Sequence, residues 1–180
     1  MVPRMLESSL SVEKQLSIMA TVYISVGSNI EREKYIRAGI KALTSHYGTI
    51  TCSPIYESIA VGFEGDNFYN LVVAFETDES CETVDTHLSK IEDLNGRDRS
   101  SAKFSARTLD LDLLLYDDLV LNSKELTLPR PEIYENAFVL QPLADIAHDL
   151  VDPKTHRPFG ELWAEFDKLK QKLWVVDLEV

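Results

Sequence analysis

From Thr21 onward, apolar positions follow two rhythms that take turns along the chain. TVYISV alternates with period two and predicts a strand ending at Gly27-Ser28-Asn29. The next segment, residues 31–47, carries Ile36, Ile40 and Leu43 on one helical stripe, with Gly48 as its stop. Residues 50–56 and 68–76 read as further strands, and the Gly-containing loop between them favours a hairpin over a parallel crossover. Ser80 is placed to cap a helix reaching Leu94, with Val84, Leu88 and Ile91 as its buried stripe and Gly96 beyond its end. A strand over residues 107–116 follows, turning at Asp117-Asp118 and returning through Leu119 to Leu121.

This β-α-β-β-α-β order predicts an α+β fold: a ferredoxin-like sandwich in which helices cover one face of a mainly antiparallel sheet. Residues 132–147 and 159–169 supply extra helices, and residues 173–178 a short terminal strand. The pattern predicts a single domain over residues 21–180, preceded by a polar, flexible N-terminal extension over residues 1–20.

Composition narrows the classes. The chain has 180 residues, 44% of them hydrophobic, which suffices for one well-buried core. Apolar runs are too short to span a bilayer, and Glu7, Glu13 and Lys14 interrupt any secretory pattern, so a cytoplasmic location is expected. Cys52 and Cys81 lack metal-type spacing and read as reduced thiols. His46, His87, His148 and His156 form no ligand pattern in the sequence and read as surface or packing residues. A formal net charge of −12 argues against nucleic acid or an anionic membrane as partner.

Against that acidic background, RTLDLDLLLY stands out. Period-two alternation puts Asp110 and Asp112 on one face of a strand, opposite Leu109, Leu111 and Leu113. Their Cβ atoms are about 6–7 Å apart, and two unit charges at that spacing repel by about 3 kcal/mol at an effective dielectric near 20. Strands disfavour aspartate, so propensity does not explain the pair; a magnesium ion shared with substrate phosphates would, and a solvated outer face of a half-covered antiparallel sheet is the alternative on these residues alone. Immediately upstream lie Arg97, Arg99, Lys103 and Arg107. Such a focused basic loop in an acidic chain points to a small polyanion, and phosphate fits the division of labour between cations and metal-holding acids. With neither GxxxxGK[ST] nor GxGxxG in the chain, a nucleotide would be held by side chains and metal rather than by a glycine cradle.

The block GRDRSSAKFSARTLDLDLLLY resembles the signature region of the 6-hydroxymethyl-7,8-dihydropterin pyrophosphokinase family. The resemblance extends through TVYISVGSNI, IYESIAVGF, FYNLVVAFET and LTLPRPEIYENAFVLQPLADIA, covering most of the chain from Thr21 to Leu150. It implies magnesium-dependent transfer of pyrophosphate from ATP to the hydroxymethyl group of the pterin, releasing AMP, in folate biosynthesis. It also implies two magnesium ions on Asp110 and Asp112, with Arg97 and Arg107 as catalytic arginines. Glu92, Arg99, Lys103, Leu113, Thr127 and Arg130 fall at positions on the ATP side, and Arg99 and Lys103 are expected to close over the triphosphate. Ser58, Val61, Phe68, Asn70 and Phe138 fall on the pterin side, with Phe68 and Phe138 sandwiching the ring. A monomer whose partners are these two small substrates is expected.

The chain departs from the family pattern in places. Arg130 stands where histidine is common and Asn136 where arginine is; Ser89, Phe104, Ser105 and the run Ser58-Ile59-Ala60 also differ. These changes bear on rate, nucleotide affinity and pterin choice. A divergent pterin- or nucleotide-binding paralogue without efficient transfer is the alternative reading. A metal-dependent nuclease is disfavoured, because no extended basic surface accompanies the acid pair.

Overall fold

The computed structural model describes residues 18–100 and 105–180. Its elements are, in order, β1 (Ala20–Ser28), α1 (Arg32–Tyr47), β2 (Ile50–Cys52), β3 (Ile55–Ser58), β4 (Phe68–Thr77), α2 (Cys81–Leu94), β5 (Asp110–Tyr116), β6 (Leu121–Asn122), β7 (Thr127–Leu128), α3 (Glu132–Glu135), α4 (Ala137–Ile146), α5 (Phe159–Glu165) and β8 (Leu173–Val176). The main sheet runs β5-β1-β4-β3-β8, with β2 also on β4, and every pairing is antiparallel. Counting β2 and β3 as one interrupted strand recovers the ferredoxin-like core predicted from the sequence.

Alternation along the strands divides the interior in two. Val22, Ile24 and Val26 of β1 join Leu71, Val73, Leu111 and Leu113 beneath the apolar stripes of α1 and α2. Val72 and Leu114 face the other way, onto Ile133, Val139, Leu140, Leu143 and Phe159. Fully burying each such side chain contributes about 1.5–3 kcal/mol. Helices therefore cover both faces of the sheet, not one, because α4 and α5 carry apolar stripes of their own that require burial. Asp110 and Asp112 share the face of Leu114 and emerge beside this second helical layer.

Five segments differ from the sequence expectation. The strand over residues 50–56 is split at Ser53-Pro54: Pro54 has no N–H to give the ladder, and Ser53 makes a local substitute. Its amide donates to the Val72 carbonyl at 2.9 Å while its Oγ accepts from the Val72 amide at 2.9 Å. The acid-bearing strand begins at Asp110 rather than Arg107, because the Arg107 backbone bonds to Asn29 instead of entering the ladder. The return through Leu121 pairs with β7 in a separate two-stranded sheet and not with β5. Residues 132–147 form two helices broken at Asn136, whose backbone is extended and whose side chain accepts from Gln171 Nε2 at 3.0 Å. At the C-terminal side α5 stops at Glu165, and β8 closes the sheet by pairing with β3. Of the expected N-terminal extension, residues 1–17 lie outside the described residues, and β1 already includes Ala20.

Candidate active site

Sheet register, more than any single motif, assembles the site. Asn70 of β4 pairs with Gly27 of β1, and Gly27 pairs with Asp110 of β5. One step along, Val72, Ser25 and Asp112 form a parallel row. A side chain at position 27 would fill the floor between an amide and an acid: a Cβ there would sit 3.2 Å from Asn70 Oδ1. Small residues at 25 and 27 thus open a cavity of about 340 Å³ on the sheet face that carries both acids.

Predicted residues from both substrate sides line this cavity. On one side are Ser58, Val61, Phe68, Asn70 and Phe138; on the other are Arg97, Arg107, Asp110, Asp112 and Arg130. Ser58 Oγ accepts from Asn70 Nδ2 at 2.8 Å, which fixes the amide's plane within the apolar half of the cavity. Phe63, which the sequence reading passed over, meets Phe68 edge-on with ring centroids 6.2 Å apart.

The acids are held by cations. Asp110 accepts from Arg97 Nη1 and lies 3.7 Å from Arg107 Nη1. Asp112 pairs with Arg130 at 2.9 Å. Burial and the neighbouring Asp110 carboxylate push the Asp112 carboxyl up to about 7, against the opposing pull of Arg130. A site that strains to keep two carboxylates ionised is suited to a divalent cation, which supplies the missing positive charge.

Four predicted ATP-side residues do not line the cavity. Leu113 is wholly buried under α1 and α2, and its neighbour Leu114 faces the cavity instead. Thr127 sits in the small sheet, opposite Asn122. Arg99 is on the surface, bonded to Asp93 Oδ1 at 2.7 Å and to the Ser89 carbonyl at 3.0 Å. Glu92 is 5% exposed and works inside the fold: its Oε1 accepts from the Leu111 amide at 2.8 Å and from Arg97 Nη1 at 3.3 Å. Burial raises its carboxyl group, while Leu111 and Arg97 pull the other way. Lys103 and Phe104 lie outside the described residues.

Two positioning residues were not predicted as such. Asn29 is buried; its Oδ1 accepts from the Arg107 amide at 2.6 Å, and its own amide donates to the Arg107 carbonyl at 3.0 Å. Glu92 anchors Arg97 from the opposite side and also satisfies a backbone N–H of the sheet's edge strand. Replacing Glu92 with alanine leaves that N–H buried without an acceptor. The expected cost is about 1–3 kcal/mol of stability, read by urea unfolding, together with reduced turnover through a loosened Arg97. Wild-type stability and turnover in Glu92→Ala would remove the anchoring role.

Comparison with known proteins agrees with this geometry. The family model described as 7,8-dihydro-6-hydroxymethylpterin-pyrophosphokinase (HPPK) matches residues 23–148. A 2-amino-4-hydroxy-6-hydroxymethyldihydropteridine pyrophosphokinase of Aquifex aeolicus is 34% identical over 149 residues, covering 82% of this chain and 92% of the relative. One from Bacillus subtilis is 35% identical, covering 84% of this chain and 89% of the relative. Among solved structures, Plasmodium falciparum HPPK-DHPS A437G with SDX-DHP has a TM-score of 0.67 at 14% identity, which bears on the fold alone. The match covers 87% of this chain but 47% of that longer one. Signature block, site geometry and sequence identity converge: the chain belongs to the 7,8-dihydro-6-hydroxymethylpterin-pyrophosphokinase family.

Proposed function

We propose that this protein transfers pyrophosphate from ATP to the hydroxymethyl oxygen of 6-hydroxymethyl-7,8-dihydropterin and releases AMP, a step of folate biosynthesis. The observation that carries the reading is one cavity in which an aromatic and amide-lined half adjoins a half lined by Asp110, Asp112, Glu132 and three arginines. A flat heterocycle suits the first half, where Phe68 and Phe138 offer π-faces and Asn70 offers amide hydrogen bonds. The triphosphate suits the second.

Asp110 and Asp112 are the residues that would hold magnesium, which supplies charge neutralisation on the phosphates and activation of the attacking hydroxyl when bound. Arg97 and Arg107 aim planar, permanently charged forks at the same end of the cavity, where they can stabilise charge building on the β-phosphoryl group and the departing AMP. Arg130 pairs with Asp112 and is released for phosphate contact when that acid takes up a cation. Arg99, on the surface, and Lys103 complete the ATP side as clamps, with Glu92, Leu113 and Thr127 acting through packing and backbone. The protein works as a cytoplasmic monomer in this reading, with no nucleic-acid partner; sedimentation velocity checks the oligomeric state.

AMP release measured with and without the pterin tests the activity. Release that requires both pterin and magnesium is expected; ATP turnover indifferent to the pterin contradicts the proposal. On the pterin side, Asn70→Ala removes the amide and leaves Ser58 without its partner. One lost buried hydrogen bond costs about 1–3 kcal/mol, so kcat/KM for the pterin should fall by about ten- to a hundredfold. The affinity for an unreactive ATP analogue should change by less than about twofold, as expected for contacts that do not couple. A loss confined to nucleotide affinity would move Asn70 out of the pterin site.

A further inference from the structure

The sequence scatters His46, Glu79 and His87 along the chain, but the fold brings their side chains together on the α1–α2 face, across the sheet from the catalytic cavity. Glu79 lies in the turn before α2, His46 in the last turn of α1 and His87 within α2. His46 Nε2 is 2.8 Å from Glu79 Oε1, and His87 Nδ1 is 3.5 Å from Glu79 Oε2. The two imidazole rings meet with centroids 3.7 Å apart. One donor atom from each of the three residues lies within 4.8 Å of the others.

We propose that His46, Glu79 and His87 form a binding site for a borderline divalent cation, zinc in particular, distinct from the magnesium-holding acids. Donor chemistry sets the metal: imidazole nitrogens suit zinc, copper or nickel and are poor partners for magnesium. Zinc with two histidines and one carboxylate keeps its fourth position for water, and His46 is exposed enough to leave that side open to solvent. In a tetrahedral set with ligand distances near 2.0–2.2 Å, donors are about 3.4 Å apart, so the present spread closes with side-chain rotations of about 1 Å.

The donors are also well braced. Tyr116 donates to the Glu79 carbonyl at 2.7 Å, which fixes the backbone of the turn. Tyr47 stacks on Phe75 with centroids 3.9 Å apart and directs its hydroxyl toward Glu79 Oε2 at 3.4 Å. Such outer partners orient ligands and sharpen metal affinity. A simple ion-pair reading explains less: two protonated imidazoles in ring contact repel each other while sharing one carboxylate, whereas a single cation satisfies all three groups. Bound there, the metal ties the end of α1 to the start of α2 and stabilises the native state by mass action.

The test uses the full chain, stripped with chelator and titrated with zinc in the absence of magnesium and nucleotide. One equivalent should bind with a dissociation constant of about 10 μM or tighter, raising Tm, and cobalt in its place should give the visible absorption of a low-coordinate nitrogen–oxygen site. His46→Gln and His87→Gln should each weaken binding by about a hundredfold. Both variants should retain pyrophosphokinase turnover, because neither residue lines the cavity. Asp110→Asn should leave zinc affinity unchanged. Zinc binding that persists in both histidine variants, or that disappears in Asp110→Asn, overturns the proposal, as does failure of the wild type to bind below about 1 mM.

Discussion

Asp110→Asn and Asp112→Asn are each expected to lower pyrophosphoryl transfer by about three orders of magnitude, the kinetic equivalent of about 4 kcal/mol of lost transition-state stabilisation. The reason is the sharing of one sheet face. Both acids project beside each other into the cavity, where asparagine keeps the shape but cannot supply the charge that holds a hard cation. Steady-state turnover at saturating magnesium measures the effect, and near-normal rates in either variant would remove that acid from the metal set.

The same substitutions should not unfold the protein. Asp112 has its folded-state carboxyl pushed up to about 7, above the ordinary carboxylate range, by burial and by Asp110. A carboxyl that binds its proton more tightly when folded favours folding at low pH. Its destabilising effect grows as pH rises from the unfolded value toward 7 and is fully present above that. Metal-free Asp112→Asn should therefore be more stable than wild type at pH 8, and that advantage should shrink as pH falls toward 5. Urea unfolding of both proteins at the two pH values measures it; a variant less stable than wild type at pH 8 would show that ion pairing with Arg130 outweighs burial.

How much of this was legible in the sequence follows from what each signal depends on. The core strands and both long helices were readable because their periodicity reports directly on which side is buried, as with Ile36, Ile40 and Leu43 or Val84 and Leu88. The break at Asn136 was not, since it rests on a side-chain bond to a residue distant in sequence; at Ser53-Pro54 the proline was visible, but the substitute bond between Ser53 and Val72 was not. In the site, the acid pair and basic loop announced themselves by charge out of place. Gly27 and Ser25 carried a weaker clue, small residues that follow Thr21 and Tyr23 on one face of the strand, opposite Val22, Ile24 and Val26. The role of Asn29 depends on a tertiary bond to Arg107, and the meeting of His46 with His87 depends on how α1 and α2 pack. Periodicity does not encode either contact.

Arg107→Ala is expected to lower kcat by about a hundredfold to a thousandfold while changing nucleotide affinity much less. The backbone of Arg107 is clamped by Asn29, so its guanidinium starts from a fixed point beside Asp110 rather than from a wandering loop. Fixed cations stabilise charge that develops during transfer without reorganising, which separates them from clamps that bind ground state and transition state alike. Arg107→Lys should recover little, because a point charge cannot reproduce a planar two-pronged contact. Arg97→Ala should show the same loss of kcat with an added loss of stability, since it also takes one hydrogen bond from the Leu109 carbonyl and one from the buried Glu92, which keeps the Leu111 amide. Kinetics and thermal unfolding of the two alanine variants side by side separate the roles. A purely KM effect in Arg107→Ala would reduce it to a uniform binding contact, and equal stability losses in both variants would show that the Arg107 side chain serves the fold as well as the chemistry, since alanine keeps the backbone bonds to Asn29.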